Sequence, residues 1–137
     1  MGHLIRQVHI AKEIQGHNDI FFYIPNFPAA TKILTQHGFS FSTVERFSPA
    51  KADITVLDIQ DTTFTFIQEL KQQSKKIISF EDQSGNDVDL LIDCNINAGE
   101  KANIKALFGL PYAVLAPEFE KFHLETRSFP DNIQSLL

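Results

Sequence analysis

The chain has 137 residues and a mass of 15.5 kDa, and 43% of its residues are hydrophobic, enough for one domain around a single core. A net charge of −5, a pI near 5.4 and a single adjacent basic pair, Lys75-Lys76, exclude a protein whose main role is neutralising nucleic-acid phosphates. Disorder does not fit 21% charged residues; with no run of about 18 apolar residues and no charged-then-apolar start at Met1-Gly2-His3-Leu4, no membrane span is expected and the cytoplasm is the expected location.

Leu4, Ile5, Val8, Ile10, Ala11 and Ile14 recur at helical spacing and predict a first helix over about 3–15, with Gly16 as its stop signal. Asp19 to Ile24 is a continuous apolar run closed by Pro25, as expected of a strand buried on both faces of a parallel sheet. Pro28 suits the first turn of a second helix that carries Ile33 and Leu34 and ends at His37-Gly38. Strands are expected over Phe39 to Val44 and Asp53 to Ile59, then a helix over about 62–73. Further strands are expected over Lys76 to Phe80, running into Glu81-Asp82, and over Val88 to Asp93, running into Asn95. Residues 97–105 suggest a loop or short helix, Leu107 to Leu115 an extended segment, and Pro117-Glu118-Phe119 the start of a short helix. The alternation describes an α/β domain with a parallel sheet and crossover helices over 1–125. The polar stretch from Thr126, containing Pro130, resembles an interdomain linker over 126–137 leading into a further domain.

Ligands of parallel sheets collect at the carboxyl ends of the strands, which singles out Asp58, Glu81, Asp82, Asp93 and Asn95. No carboxylate pair has a recognised ligand spacing and the five histidines form no Cys/His cluster, so neither a metal nor a cofactor is expected. Cys94 excludes an intramolecular disulfide and, following Leu90-Leu91-Ile92, is expected to be a buried small hydrophobe. His3 follows Gly2 at a helix amino terminus, where free N–H groups attract anions and the dipole disfavours imidazolium, so a neutral imidazole there can act as a base. Arg6, three residues on, shares its helical face and suits a phosphate or carboxylate beside it. The plainer alternative is a terminal histidine beside a solvated arginine.

The run Gly2-His3-Leu4-Ile5-Arg6-Gln7-Val8-His9-Ile10-Ala11 resembles the G-H-x-x-R-x-x-x-L-A start of a group of sugar-pathway enzymes. That group comprises the UDP-linked trideoxy amino-sugar hydrolases of pseudaminic acid synthesis and the spore-coat polysaccharide biosynthesis proteins. Three later segments continue the resemblance in order: Val56-Leu57-Asp58 with Ile77 to Asp82, then Asp89 to Asn95, then Phe108 to Phe119. The acidic Phe80-Glu81-Asp82-Gln83-Ser84-Gly85 is closer to the spore-coat branch.

The resemblance implies a three-layer Rossmann-like domain, the amino-terminal half of a glycosyltransferase-B architecture. It implies a catalytic His3 and substrate contacts from Gly2, Arg6, Asp58, Asn95, Tyr112 and Glu118 to a UDP-linked amino sugar that is hydrolysed or transferred. Three departures qualify it. The family's first strand and glycine-rich turn have no counterpart before Gly2-His3, so the sheet is expected to lack its first strand and to expose an edge open to a partner strand or a second copy. Gln60 stands where the hydrolases carry Tyr. The nucleotide-binding carboxyl-terminal domain is missing, so the isolated chain is expected to be inactive; the alternative is a non-catalytic subunit that pairs with a separate nucleotide-binding chain.

Overall fold

The computed structural model describes residues 1–45, 50–82, 84, 87–95 and 105–119. The linker expected over 126–137, the domain boundary at 125 and nearly all of the segment over 97–105 lie outside the described residues.

Helix α1 spans Gly2–Ile14. Its period places Leu4, Val8 and Ala11 on one flank, where they pack against Ile24, Ala30, Leu34 and Phe39. Gly16 does not stop it abruptly. The chain tightens into a 3-10 turn over Gln15–His17, and Asn18 Nδ2 donates to the Ile14 carbonyl at 2.8 Å, satisfying one of the orphaned acceptors of the helix end. Strand β1 (Phe21–Ile24) follows, then α2 (Pro28–Gln36) with proline in its first turn, then β2 (Ser40–Thr43). Gly38 at φ +73° closes α2: its N–H reaches the Thr35 carbonyl, and Phe39 N–H that of Leu34. β1 pairs β2 in parallel, from Phe21 opposite Ser40 to Ile24 opposite Thr43.

The second half repeats the pattern with β3 (Ala52–Leu57), α3 (Phe64–Lys71), β4 (Ser74–Phe80), β5 (Leu90–Asp93) and β6 (Ala106–Phe108). Thr63 caps α3 by accepting the Phe66 N–H. The four strands lie in the order β3-β4-β5-β6, all parallel. Register aligns Leu57, Ser79 and Leu91 on one face, and Leu57, Ile77 and Leu91 there pack with Ile67 and Leu70 of α3 and with Val88. The segment expected to be extended from Leu107 to Leu115 is strand only as far as Phe108. Gly109 (φ +89°, ψ −178°) adopts a backbone conformation open essentially to glycine alone and turns the chain into a 3-10 turn over Leu110–Tyr112; Pro117–Phe119 is another such turn.

The fold is therefore α/β, with a four-stranded parallel sheet flanked by helices in the Rossmann-like manner. β1 departs from expectation. It is not buried on both faces, because Phe22 and Ile24 turn into the first core while Phe21 and Tyr23 are exposed on the other face, and among the described residues β1 has a neighbour along only one edge. Among the described residues no helix is long and apolar enough to cross a membrane.

Candidate functional site

Polar side chains meet where the first turn of α1 faces the carboxyl ends of β3 and β4. His3, Arg6 and Gln7 are spaced by three and four residues and so share a flank of α1. Asp58 follows the last residue of β3, and Glu81 the last residue of β4. α1 has no acidic residue in its own first turn and no side-chain cap on its amino end, so the carboxylate opposite its positive dipole comes from elsewhere in the chain.

Asp58 is the hub. Its Oδ1 lies 2.5 Å from His3 Nδ1 and accepts from Arg6 Nη2 at 2.6 Å; its Oδ2 accepts from Arg6 Nε at 3.0 Å and Gln7 Nε2 at 2.8 Å. Arg6 thus grips Asp58 with a two-pronged fork, the geometry in which guanidinium and carboxylate match best. Its other edge donates to Glu81 at 2.8 and 3.2 Å, and its plane lies over the Phe80 ring, 5.1 Å from the centroid. Glu81 sits at φ +55°, a left-handed conformation rare for a residue with a side chain, and its N–H donates to the Ile92 carbonyl.

Burial alone raises the pKa of Asp58, but hydrogen bonds from Arg6, His3 and Gln7 outweigh it and hold the carboxyl below the usual carboxylate range. Arg6 is held charged: burial works against the charge, and Asp58 and Glu81 more than offset it. An ionised carboxylate only accepts hydrogen bonds, so in the short His3 contact Nδ1 is the donor and Nε2 is the ring nitrogen turned away from Asp58. The His3 side chain is 57% exposed, whereas Arg6 and Asp58 are 14% and 8% exposed: a reachable imidazole stands on a partly buried ionic base.

The remaining singled-out residues surround this hub with contacts of their own, and the charges of Arg6, Glu81 and Asp58 reach Cys94 beyond the end of β5. Gly2 is exposed, and a Cβ there would meet nothing within 4 Å, so no close packing demands glycine. Asn95 folds back on Asp93, donating from its backbone and its amide to Oδ1 at 3.1 and 2.7 Å. Tyr112 is exposed in its 3-10 turn, and its carbonyl accepts the Cys94 thiol at 3.1 Å; Glu118 is exposed in the last turn. Cys94 is half-buried rather than buried, because it follows the end of β5, where the sheet opens. Burial still pushes its thiol pKa up and keeps it protonated. Asp82 serves the fold rather than the hub. It is buried and accepts from Thr62 Oγ1 at 2.5 Å and Ser84 N–H at 2.9 Å, tying the loop after β3 to the one after β4. Among the described residues no three His, Cys, Asp or Glu side chains converge as metal ligands.

Sequence spacing pointed to His3 and Arg6 but not to Gln7 and Glu81. Gln7 had a signal, its i+4 offset from His3; Glu81 had one only as a strand-ending acid. A shallow groove of about 410 Å³ lies elsewhere, between the outer side of α1 at His9, Ile10, Glu13 and Ile14 and the segment at Val114, Leu115 and Pro117, and does not include His3. Compared with family models, curated proteins and solved structures, the chain matches none.

Proposed function

We propose that this chain is the acceptor-side half of a nucleotide-sugar enzyme of glycosyltransferase-B architecture. It would act in the cytoplasm, in surface or spore-coat polysaccharide biosynthesis, hydrolysing or transferring the sugar of a UDP-linked amino sugar with His3 as general base. The observation that carries this reading is the exposed His3 ring held by Asp58, which Arg6 and through it Glu81 brace, at the carboxyl ends of parallel strands, the place where such sheets take ligands.

With Nδ1–H donating to Asp58, the lone pair on Nε2 accepts a proton from water or a sugar hydroxyl. That oxygen attacks the anomeric carbon, and the nucleotide leaves with the bonding pair. Asp58 stabilises the imidazolium so formed, and Arg6 with Glu81 keeps Asp58 in place. Gly2 is assigned to the exposed first turn of α1, whose amides would face an anionic group of the substrate. Asn95, Tyr112 and Glu118 are assigned to orienting the sugar, and tight UDP binding to a carboxyl-terminal nucleotide-binding domain, without which the chain is inactive.

Titration of ¹⁵N-labelled chain with UDP-linked amino sugars is expected to shift the amides of Gly2, His3 and Asp58. Once the chain is joined to a nucleotide-binding half, His3→Asn is expected to lower UDP release by about 10²–10⁴-fold. Release that survives the substitution removes His3 from this role. The second reading, a non-catalytic subunit that pairs with a nucleotide-binding chain or with its own copy, is favoured by the free edges of β1 and β3. Sugar binding without UDP release from either form of the assembled protein selects it.

A further inference from the structure

Hydrogen-bond capacity is used unevenly within the hub. An ionised carboxylate has about four acceptor positions, and at Asp58 all are taken: Oδ1 by His3 and Arg6, Oδ2 by Arg6 and Gln7. Arg6 in turn directs Nε and both terminal nitrogens at Asp58 or Glu81. These two residues are turned on the protein and have little left for a ligand. Glu81 differs. Among the described residues its oxygens accept from Arg6 alone, at 2.8 and 3.2 Å, so about half of its acceptor positions are open. Its side chain is 23% exposed, against 8% for Asp58.

Charge points the same way. Asp58 alone matches the charge of Arg6, so Glu81 adds a second carboxylate that the guanidinium does not need, and with it one negative charge in excess. It also adds strain, since φ +55° is a left-handed conformation unfavourable for a residue with a side chain, and such strain gathers at ligand sites. The open carboxylate stands beside the reachable imidazole: His3 Nδ1 and Glu81 Oε2 lie 3.3 and 3.2 Å from the same nitrogen, Arg6 Nη2. The two groups are thus no more than two hydrogen-bond lengths apart, within the span of a single sugar ring.

We propose that Glu81 is the ligand-facing carboxylate of the site, accepting hydrogen bonds from a hydroxyl or amino group of the sugar and so selecting neutral and amino sugars against their uronic-acid counterparts. This rests on the reading of the site as one that takes a sugar. A hydroxyl or ammonium group fills the open positions on Glu81, and an ammonium also offsets the excess charge. A sugar carboxylate brings only acceptors, sets like charge against like and leaves Glu81 unsatisfied. Arg6 and Asp58 act on the ligand only through Glu81 and His3, as positioning residues.

The test is to titrate the ¹⁵N-labelled chain with glucosamine in its protonated form, glucose and glucuronate at matched ionic strength, following the amides of His3, Asp58, Phe80 and Glu81. Glucosamine is expected to bind tightest, glucose next, and glucuronate about tenfold or more weaker than glucosamine. Glu81→Gln keeps the shape of the side chain, removes its charge and is expected to bring glucosamine and glucuronate within about threefold of each other. Should that variant disturb the fold, Glu81→Gly carries the same comparison, because glycine takes φ +55° without strain. Equal affinities for glucosamine and glucuronate in the unaltered chain overturn the proposal, and so does a preference that survives loss of the Glu81 carboxylate. If none of the three sugars moves these amides, the reading as a sugar site falls as well. If all three move them equally, the sugar site stands and selection by Glu81 alone falls.

Discussion

The two halves of the molecule are built from the same parallel strand-helix-strand unit but bury their strands differently. In the second half, β4 has neighbours on both edges, and Ile77 and Ser79 are fully buried; in the first, β1 has one neighbour among the described residues and exposes two of its four side chains. An apolar strand is buried only as far as its neighbours extend, whatever its composition. The halves are joined by chemistry as well as packing, since Arg6 from the first half is clamped between Asp58 and Glu81 of the second. That partly buried clamp sits beyond the carboxyl ends of β3 and β4.

The largest expected effect comes from cutting the clamp. Arg6→Ala leaves two partly buried carboxylates facing each other and is expected to cost about 3–5 kcal/mol by urea denaturation. A cost below about 1 kcal/mol would mean that the halves are held together by packing alone. Next come Leu34→Ala and Ile77→Ala, each at a fully buried position and each expected to cost about 2–5 kcal/mol. If only Ile77→Ala proves expensive, the first half is less cooperative than its core suggests.

Acid should act more mildly. Asp58 and Asp82 have pKa values below those of the unfolded chain, so their contribution is complete above the unfolded carboxylate pKa, near 4. It is lost as pH falls through the depressed values, because the unfolded state takes up protons first. The urea midpoint is expected to fall between about pH 5 and pH 2, and Asp58→Asn, already lower in stability, to flatten that fall. A midpoint that instead rises on acidification would contradict the ionised hub. The smallest effects belong to the exposed side chains of β1 and β3: Phe21→Ser and Ile54→Thr are each expected to change stability by about 0.5 kcal/mol or less.

Much of this was legible along the chain. Proline at the start of α2, Gly38 at its end and the apolar runs of β3, β4 and β5 sit within a few residues of their expected places, because caps and periodicity are local physics. The His3-Arg6 spacing put both side chains on one flank of a helix. Their partner was not legible: Asp58 was one of several strand-ending acids, and Glu81 gained its place through a left-handed backbone that no pattern announced. The extended run after Leu107 was misjudged because Gly109 redirects the chain.

The sequence by itself determined which segments are helix and strand, that they alternate in the α/β manner, and that an imidazole and a guanidinium lie together at a helix start. Those features depend on residues a few positions apart. Only the tertiary structure decided that Arg6 closes on an aspartate 52 residues away, that Asp82 ties loops rather than facing a site, and that β1 and β2 pair in one sheet while β3 to β6 pair in another. Each is a pairing between distant segments, settled by which strands come to lie side by side, and periodicity within a strand carries no information about its neighbour.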